Sequence, residues 1–150
     1  MSGIKRSLRA VAVGLLLFGG SAVVSLAGGS SPAGAAAAVQ QITVGVEPSG
    51  VSSDGTHVWV AVDNSVVELD ASTGAIIQSI PVADPFSVSS DGTHVWVAVY
   101  DGPVTELDAS TGAFVRTIPV ASFPDSISSD GTHVWVTNFG GNSVSSIDAN

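Results

Sequence analysis

Three histidines, His57, His94 and His133, each follow an aspartate by three positions: Asp54, Asp91 and Asp130. Neutral imidazole is a common metal ligand, so three converging copies could build a metal centre. The abundance of Asp, His and Ser also invites a hydrolase triad. Two further stretches, Asp70-Ala71-Ser72-Thr73-Gly74 and Asp108-Ala109-Ser110-Thr111-Gly112, carry a superficial likeness to a calcium loop. Local pattern argues against all three. No nucleophile elbow is present to raise a serine for attack. The aspartate loops lack the alternating acidic ligands and closing glutamate that calcium needs. A simpler assignment is structural: each histidine partners the aspartate of its own turn, and Asp70 and Asp108 bond turn amides as Asx-turns. We expect no metal, no cofactor and no catalytic residue.

What places these residues is a repeat. The nonapeptide SSDGTHVWV occurs unchanged at 52–60, 89–97 and 128–136, and a DAS or DAN element follows each copy. Self-similarity at a fixed spacing of this length signals a repeat architecture. Each repeat reads as four short strands. The first covers Gly50 to Ser53, with equivalents at Ser87 to Ser90 and Ser126 to Ser129. An Asp-Gly-Thr turn closes it, because glycine accepts positive φ without steric cost. The second is His57 to Val62, in which Val58, Val60 and Val62 face one way and His57, Trp59 and Ala61 the other. Apolar groups on both faces predict a sheet covered on both sides. The third spans Ser65 to Asp70, Val104 to Asp108 and Ser143 to Asp148. The fourth spans Ala75 to Val82, and Pro81 and Pro119 assign it to the sheet edge, where a missing N–H is tolerated. The identical placing of Trp59, Trp96 and Trp135 predicts packing between units. No helical periodicity appears in the repeats, so the class is all-β.

Four-stranded antiparallel units of about 40 residues describe β-propeller blades. The order DGTHVWVA, NSVVELDASTGA, IIQSIPV, with the closest match in HVWVTNFGGNSVSSID, resembles the YVTN-type β-propeller repeat, a relative of the NHL and WD-repeat propellers. The resemblance implies a propeller whose innermost strand is the first of each blade. It therefore implies that the three histidines, which open the second strand, are turned away from one another. The expected architecture is about three four-stranded antiparallel blades over 40–150, an incomplete, open propeller with a truncated last blade. Gln40 to Val46 reads as a lone fourth strand able to complete that last blade. Propellers have four to eight blades, so the chain is either a piece of a longer one or part of a ring built from several copies.

Ahead of the repeats, Lys5, Arg6 and Arg9 precede an apolar stretch from Ala10 to about Leu26 and the small residues Ala33-Gly34-Ala35. This pattern reads as a secretory signal peptide over 1–35, with an uncleaved anchor as the alternative, followed by a linker over 36–39. Beyond residue 35, Arg116 is the one basic residue against thirteen acids, a net charge of −12 (1 − 13). That balance speaks against nucleic acid, or a membrane after signal cleavage, as partner. With no cysteine to form disulfides, stability outside the cell must come from stacked repeats.

Sequence variety concentrates in the second-to-third and fourth-to-first connections, which an up-and-down blade places on one face. They contain Asp63, Asn64, Asp84, Phe86, Tyr100, Asp101, Phe123, Asp125, Asn138 and Phe139. Loops on a rigid scaffold commonly carry binding. The expected function is an exported, bacterial binding scaffold for a protein, glycan or cell-wall component, with homo-oligomerisation or the remainder of a longer chain completing the ring. The alternatives are a fragment of a propeller enzyme, resembling streptogramin-type lyases or quinoprotein dehydrogenases, and a surface-layer structural protein.

Overall fold

The Asp-Gly-Thr turns and valine-rich strands fold as antiparallel meanders. The computed structural model describes residues 38–150, so the signal-peptide expectation for 1–35 lies outside the described residues. The sheets belong to a unit over 43–150. Its first sheet holds β1 (Gly50–Ser53), β2 (His57–Val62), β3 (Ser65–Asp70) and β4 (Ile76–Pro81) in sequence order. The second holds β5 (Pro85–Ser90), β6 (His94–Val99), β7 (Val104–Asp108) and β8 (Phe114–Ile118). The third holds β9 (Pro124–Ser129), β10 (His133–Asn138) and β11 (Ser143–Asp148). All pairings are antiparallel. The fold is all-β, and the three sheets form an open stack rather than a closed ring.

The two faces of β2 and β6 are used as the alternation predicts. Trp59, Ala61 and Val66 of the first sheet pack on Val88, Val95, Val97 and Leu107 of the second. Trp96, Ala98 and Val104 meet Ile127, Val134 and Val136 of the third in the same manner. The sheets approach so closely near their first strands that a Cβ on Gly50 would lie 2.8 Å from Ser87 Cα. Any side chain there would push two blades apart.

A polar latch reinforces each joint. Asp54 Oδ1 accepts from the amides of Thr56 and His57, which shapes the turn. Its Oδ2 accepts from Trp59 Nε1 at 3.2 Å and from the Ser90 hydroxyl of the next sheet at 3.1 Å. Asp91 repeats the arrangement with Trp96 Nε1 and the Ser129 hydroxyl, both at 3.1 Å. One carboxylate thus fixes a turn, orients a buried indole and ties down the following blade. Further serine hydroxyls accept across the joints, Ser52 from the Ser90 amide and Ser89 from the Ser129 amide.

Two expectations are corrected. Trp135 is not in the core: it is 48 % exposed, because no described sheet follows the third to cover it. Gln40 to Val46 forms no strand and does not complete the last sheet. Within its Thr43–Val46 portion, Val44 packs against Val60, Val62, Val67 and Leu69 of the first sheet, and Val46 O accepts from the Asp63 amide at 2.9 Å. A segment held against the first blade is not placed to pair with β11.

Glu68 and Glu106 are buried at equivalent places in the third strands of the first two sheets. Glu68 accepts from Gln78 Nε2 at 2.6 Å, and at the equivalent place Glu106 pairs with Arg116. Arg116→Ala is expected to cost about 2 kcal/mol, since it removes the half-exposed partner of a buried carboxylate. Arg116→Gln, which copies the first blade, should recover most of that loss in urea unfolding.

Candidate binding face

The second-to-third and fourth-to-first loops share one face, joined by hydrogen bonds from Tyr100 N to Asp84 O and from Phe139 N to Phe123 O. Among the described residues six non-glycine residues adopt positive φ, and all lie in these loops: Glu47, Asn64, Asp84, Asp101, Phe123 and Asn142. Asparagine and aspartate accept this conformation at low cost through local hydrogen bonding. A phenylalanine does so only when its surroundings hold it. Phe123, at φ 53°, is that case.

Bulges then aim two side chains onto the same face. Pairing passes from Pro85↔Val99 to Ser87↔Ala98, leaving Phe86 as the extra residue. It passes likewise from Asn138↔Pro124 to Thr137↔Ser126, leaving Asp125. Such extra residues bend a strand and redirect its side chain. The result is an aromatic row across two blades. Phe86 and Tyr100 ring centroids lie 6.3 Å apart, and Tyr100 and Phe123 lie 5.8 Å apart, both pairs tilted. With Pro124, Asp125 and Phe139 they line a depression of about 320 Å³. Phe139 stands 80 % exposed at its rim and Tyr100 59 %.

Of the ten residues proposed from sequence, Phe86, Tyr100, Phe123, Asp125 and Phe139 are brought together here. Asp84 and Asp101 are exposed in the flanking turns. Asp63 and Asn64 belong to the first blade, where Asn64 Nδ2 donates to Asp63 Oδ1 at 2.8 Å, and do not line the depression. Asn138 is a correction. It is only 2 % exposed, with its amide turned to donate to Ala121 O at 3.3 Å and to accept from the Ser145 amide at 3.2 Å. It braces the third sheet, at the floor of a second shallow depression shared with Asp125 and Phe139. Alignment of HVWVAV with HVWVTN could have shown this, since Asn138 occupies the place of buried Val62. Pro124 was missed, and the prolines at 48, 85 and 124 were the signal that this loop keeps one backbone course in every blade.

The opposite face holds the histidines. His57 lies 3.8 Å from Asp54 Oδ1 and 3.6 Å from Glu68 Oε1, and His94 lies between Asp91 and Glu106 at 3.6 and 3.8 Å. Among the described residues no cluster of three metal-ligating groups forms. For Asp54 and Asp91, burial works against ionisation, but hydrogen bonds from turn amides and indoles outweigh it and hold both carboxyls below the ordinary range. Asp130 is lowered by the His133 and Thr132 amides. Asp70 is pushed down to about 2 by the Ser72 and Thr73 hydroxyls and the Thr73 amide. Carboxylates held this way are poor proton acceptors, which suits turn building and not general-base chemistry.

The sign of the pH dependence follows. A depressed folded-state pKa gives stability that is complete above the unfolded value of 3.8 and lost as pH falls toward 2. Asp70→Asn should therefore lower the thermal midpoint at about pH 6, and the gap from wild type should close in acid below about pH 3.

No protein-family model matches the sequence, and no curated protein matches it. Solved structures do. Hydrazine synthase from Kuenenia stuttgartiensis superposes with a TM-score of 0.64 at 22 % identity, over 77 % of this chain and 36 % of that one. BamB from Moraxella catarrhalis gives 0.60 at 21 % identity, over 68 % and 34 %. A chain of the mitotic checkpoint complex gives 0.59 at 19 % identity, over 68 % and 34 %. The chain spans about a third of the length of each of these structures. At such identities the likeness is one of fold, and the fold is that of a β-propeller with its ring incomplete.

Proposed function

We propose that the chain is a non-catalytic, exported interaction module that binds a protein partner through the aromatic face of its second and third blades. The observation that carries this reading is the row Phe86, Tyr100, Phe123, with Phe139 beside it, exposed on loops tied to one another by backbone hydrogen bonds. Exposed aromatic groups clustered around a shallow depression are the usual anchors of recognition surfaces. A neighbouring propeller taken from a checkpoint complex is in keeping with protein partners. The basic n-region and apolar h-region of the sequence support export.

Tyr100 is the one tyrosine of the chain, so selective [15N]tyrosine labelling yields a single amide signal inside the candidate face. A panel of arrayed peptides and soluble chito- and cello-oligosaccharides is titrated against it. Movement by peptides, abolished in Phe86→Ser, supports the reading. Movement by oligosaccharides alone replaces the protein partner with a glycan, and no movement by any member overturns the binding face.

A further inference from the structure

The thirteen acids of the chain all fall among the described residues, and they divide by what holds them. Asp54, Asp70, Asp91, Asp108, Asp130 and Asp148 accept from amides of their own turns. Glu68 accepts from Gln78, Glu106 pairs with Arg116, and Asp63 accepts from Asn64. Glu47, Asp84, Asp101 and Asp125 remain. Their carboxylates have no donor among the described residues, all four are exposed, and all four lie in or beside the loops of the candidate face. The basic groups lie elsewhere. Arg116 is committed to Glu106 in the second sheet, and the histidines occupy the opposite face.

Three of these idle carboxylates surround the aromatic depression. Asp125 lines it together with Tyr100 and Phe123. Asp84 is joined to Tyr100 through the bond from Tyr100 N to Asp84 O, and Asp101 is the next residue in the chain. A wholly apolar segment seated here would take carboxylates out of water and offer nothing in return. An acidic segment would meet a face that holds no compensating cation. A cationic side chain suits both halves of the site. Its hydrocarbon stem covers apolar surface, and its charged head is attracted by a ring face and by a carboxylate.

We propose that this face selects a basic segment of its protein partner, which seats an arginine or lysine side chain in the depression. The cation rests against Tyr100 and Phe123 and turns toward Asp125, while Asp84 and Asp101 draw it in. This inference rests on the interaction face proposed above and names what that face selects. A space of about 320 Å³ lies at the small end of the range for ligand pockets, which suits one long side chain. Arginine is the better occupant, since its planar guanidinium stacks on a ring and forks onto a carboxylate.

The test follows the Tyr100 amide signal of the full chain while three pools of peptides are titrated, matched in length and apolar content. The first pool carries arginine and lysine, the second has citrulline and glutamine in their places, and the third has glutamate. The basic pool is expected to move the signal at concentrations about tenfold lower than the neutral one. The acidic pool should leave it in place, and raising sodium chloride from about 20 to about 300 mM should weaken the basic pool alone. Asp101→Asn combined with Asp125→Asn should remove most of the difference between the basic and neutral pools. Glu47→Gln combined with Asp63→Asn makes the same change in net charge on the first blade and should leave most of that difference. A neutral pool that binds as tightly as the basic one overturns the charge selection and leaves the interaction face standing. Equal losses in the two paired variants also overturn it, since overall charge and not this site would then account for the preference. A signal moved by none of the pools overturns the interaction face itself, and this inference with it.

Discussion

Trp96→Ala is expected to destabilise the stack by about 3–5 kcal/mol, the range for removing a large buried aromatic. The ring is fully buried between the second and third sheets, and its loss removes packing against Ile127, Val134 and Val136 together with the indole donor to Asp91. The same change at Trp135 is expected to cost under about 1 kcal/mol in the single copy, since half of that ring already faces solvent. Urea unfolding of both variants at equal concentration separates the two. Equal losses at the two positions would mean that the blade stack does not bury its tryptophans unequally, contrary to the structure.

Asp91→Ala is expected to cost about 3 kcal/mol, because it leaves four donors without their acceptor at once. Those donors are the amides of Thr93 and His94, Trp96 Nε1 and the Ser129 hydroxyl. Asp130→Ala removes only the Thr132 and His133 amide bonds, in an exposed turn, and should cost about 1 kcal/mol. The Asp91 effect carries its own pH signature. Its carboxyl is held below the ordinary value of 3.8, so its contribution is complete above that pH and fades below it. Wild type and Asp91→Ala should converge in acid; a constant gap down to the lowest workable pH would argue that packing, not the ionised latch, accounts for the loss.

Strand positions were legible because their causes are local. Asp-Gly pairs specify turns, and alternation over HVWVAV specifies a two-sided strand, so β2, β3, β7, β10 and β11 fall where the pattern puts them. The ends of the fourth strands were less so: β4 runs through Pro81, whereas β8 stops at Ile118, ahead of the equivalent Pro119. Burial of Trp135 was not legible. Identical residues in identical local settings differ in exposure according to whether another sheet follows, and that is a property of the neighbour. The face bearing the variable loops was readable from repeat comparison, but the bulges at Phe86 and Asp125 that gather the aromatic row were not. A one-residue excess in a ladder appears only when both strands are paired. The latch serines were overlooked for the opposite reason. Serine in a strand looks unremarkable until its hydroxyl is seen reaching the carboxylate of another blade.

The latch also bears on how such a chain can lengthen. Each latch uses residues from one nonapeptide on either side, and every copy of that nonapeptide is the same. The latch of any blade can therefore engage any other without a new polar fit having to arise. An in-frame duplication of one whole unit inserts a blade that already matches both neighbours, while the loops it brings are free to diverge. Growth by whole units leaves the joints unchanged and varies only the recognition surface. A gene of this kind can thus add a blade and new loops in a single recombination event while keeping the latch that joins them.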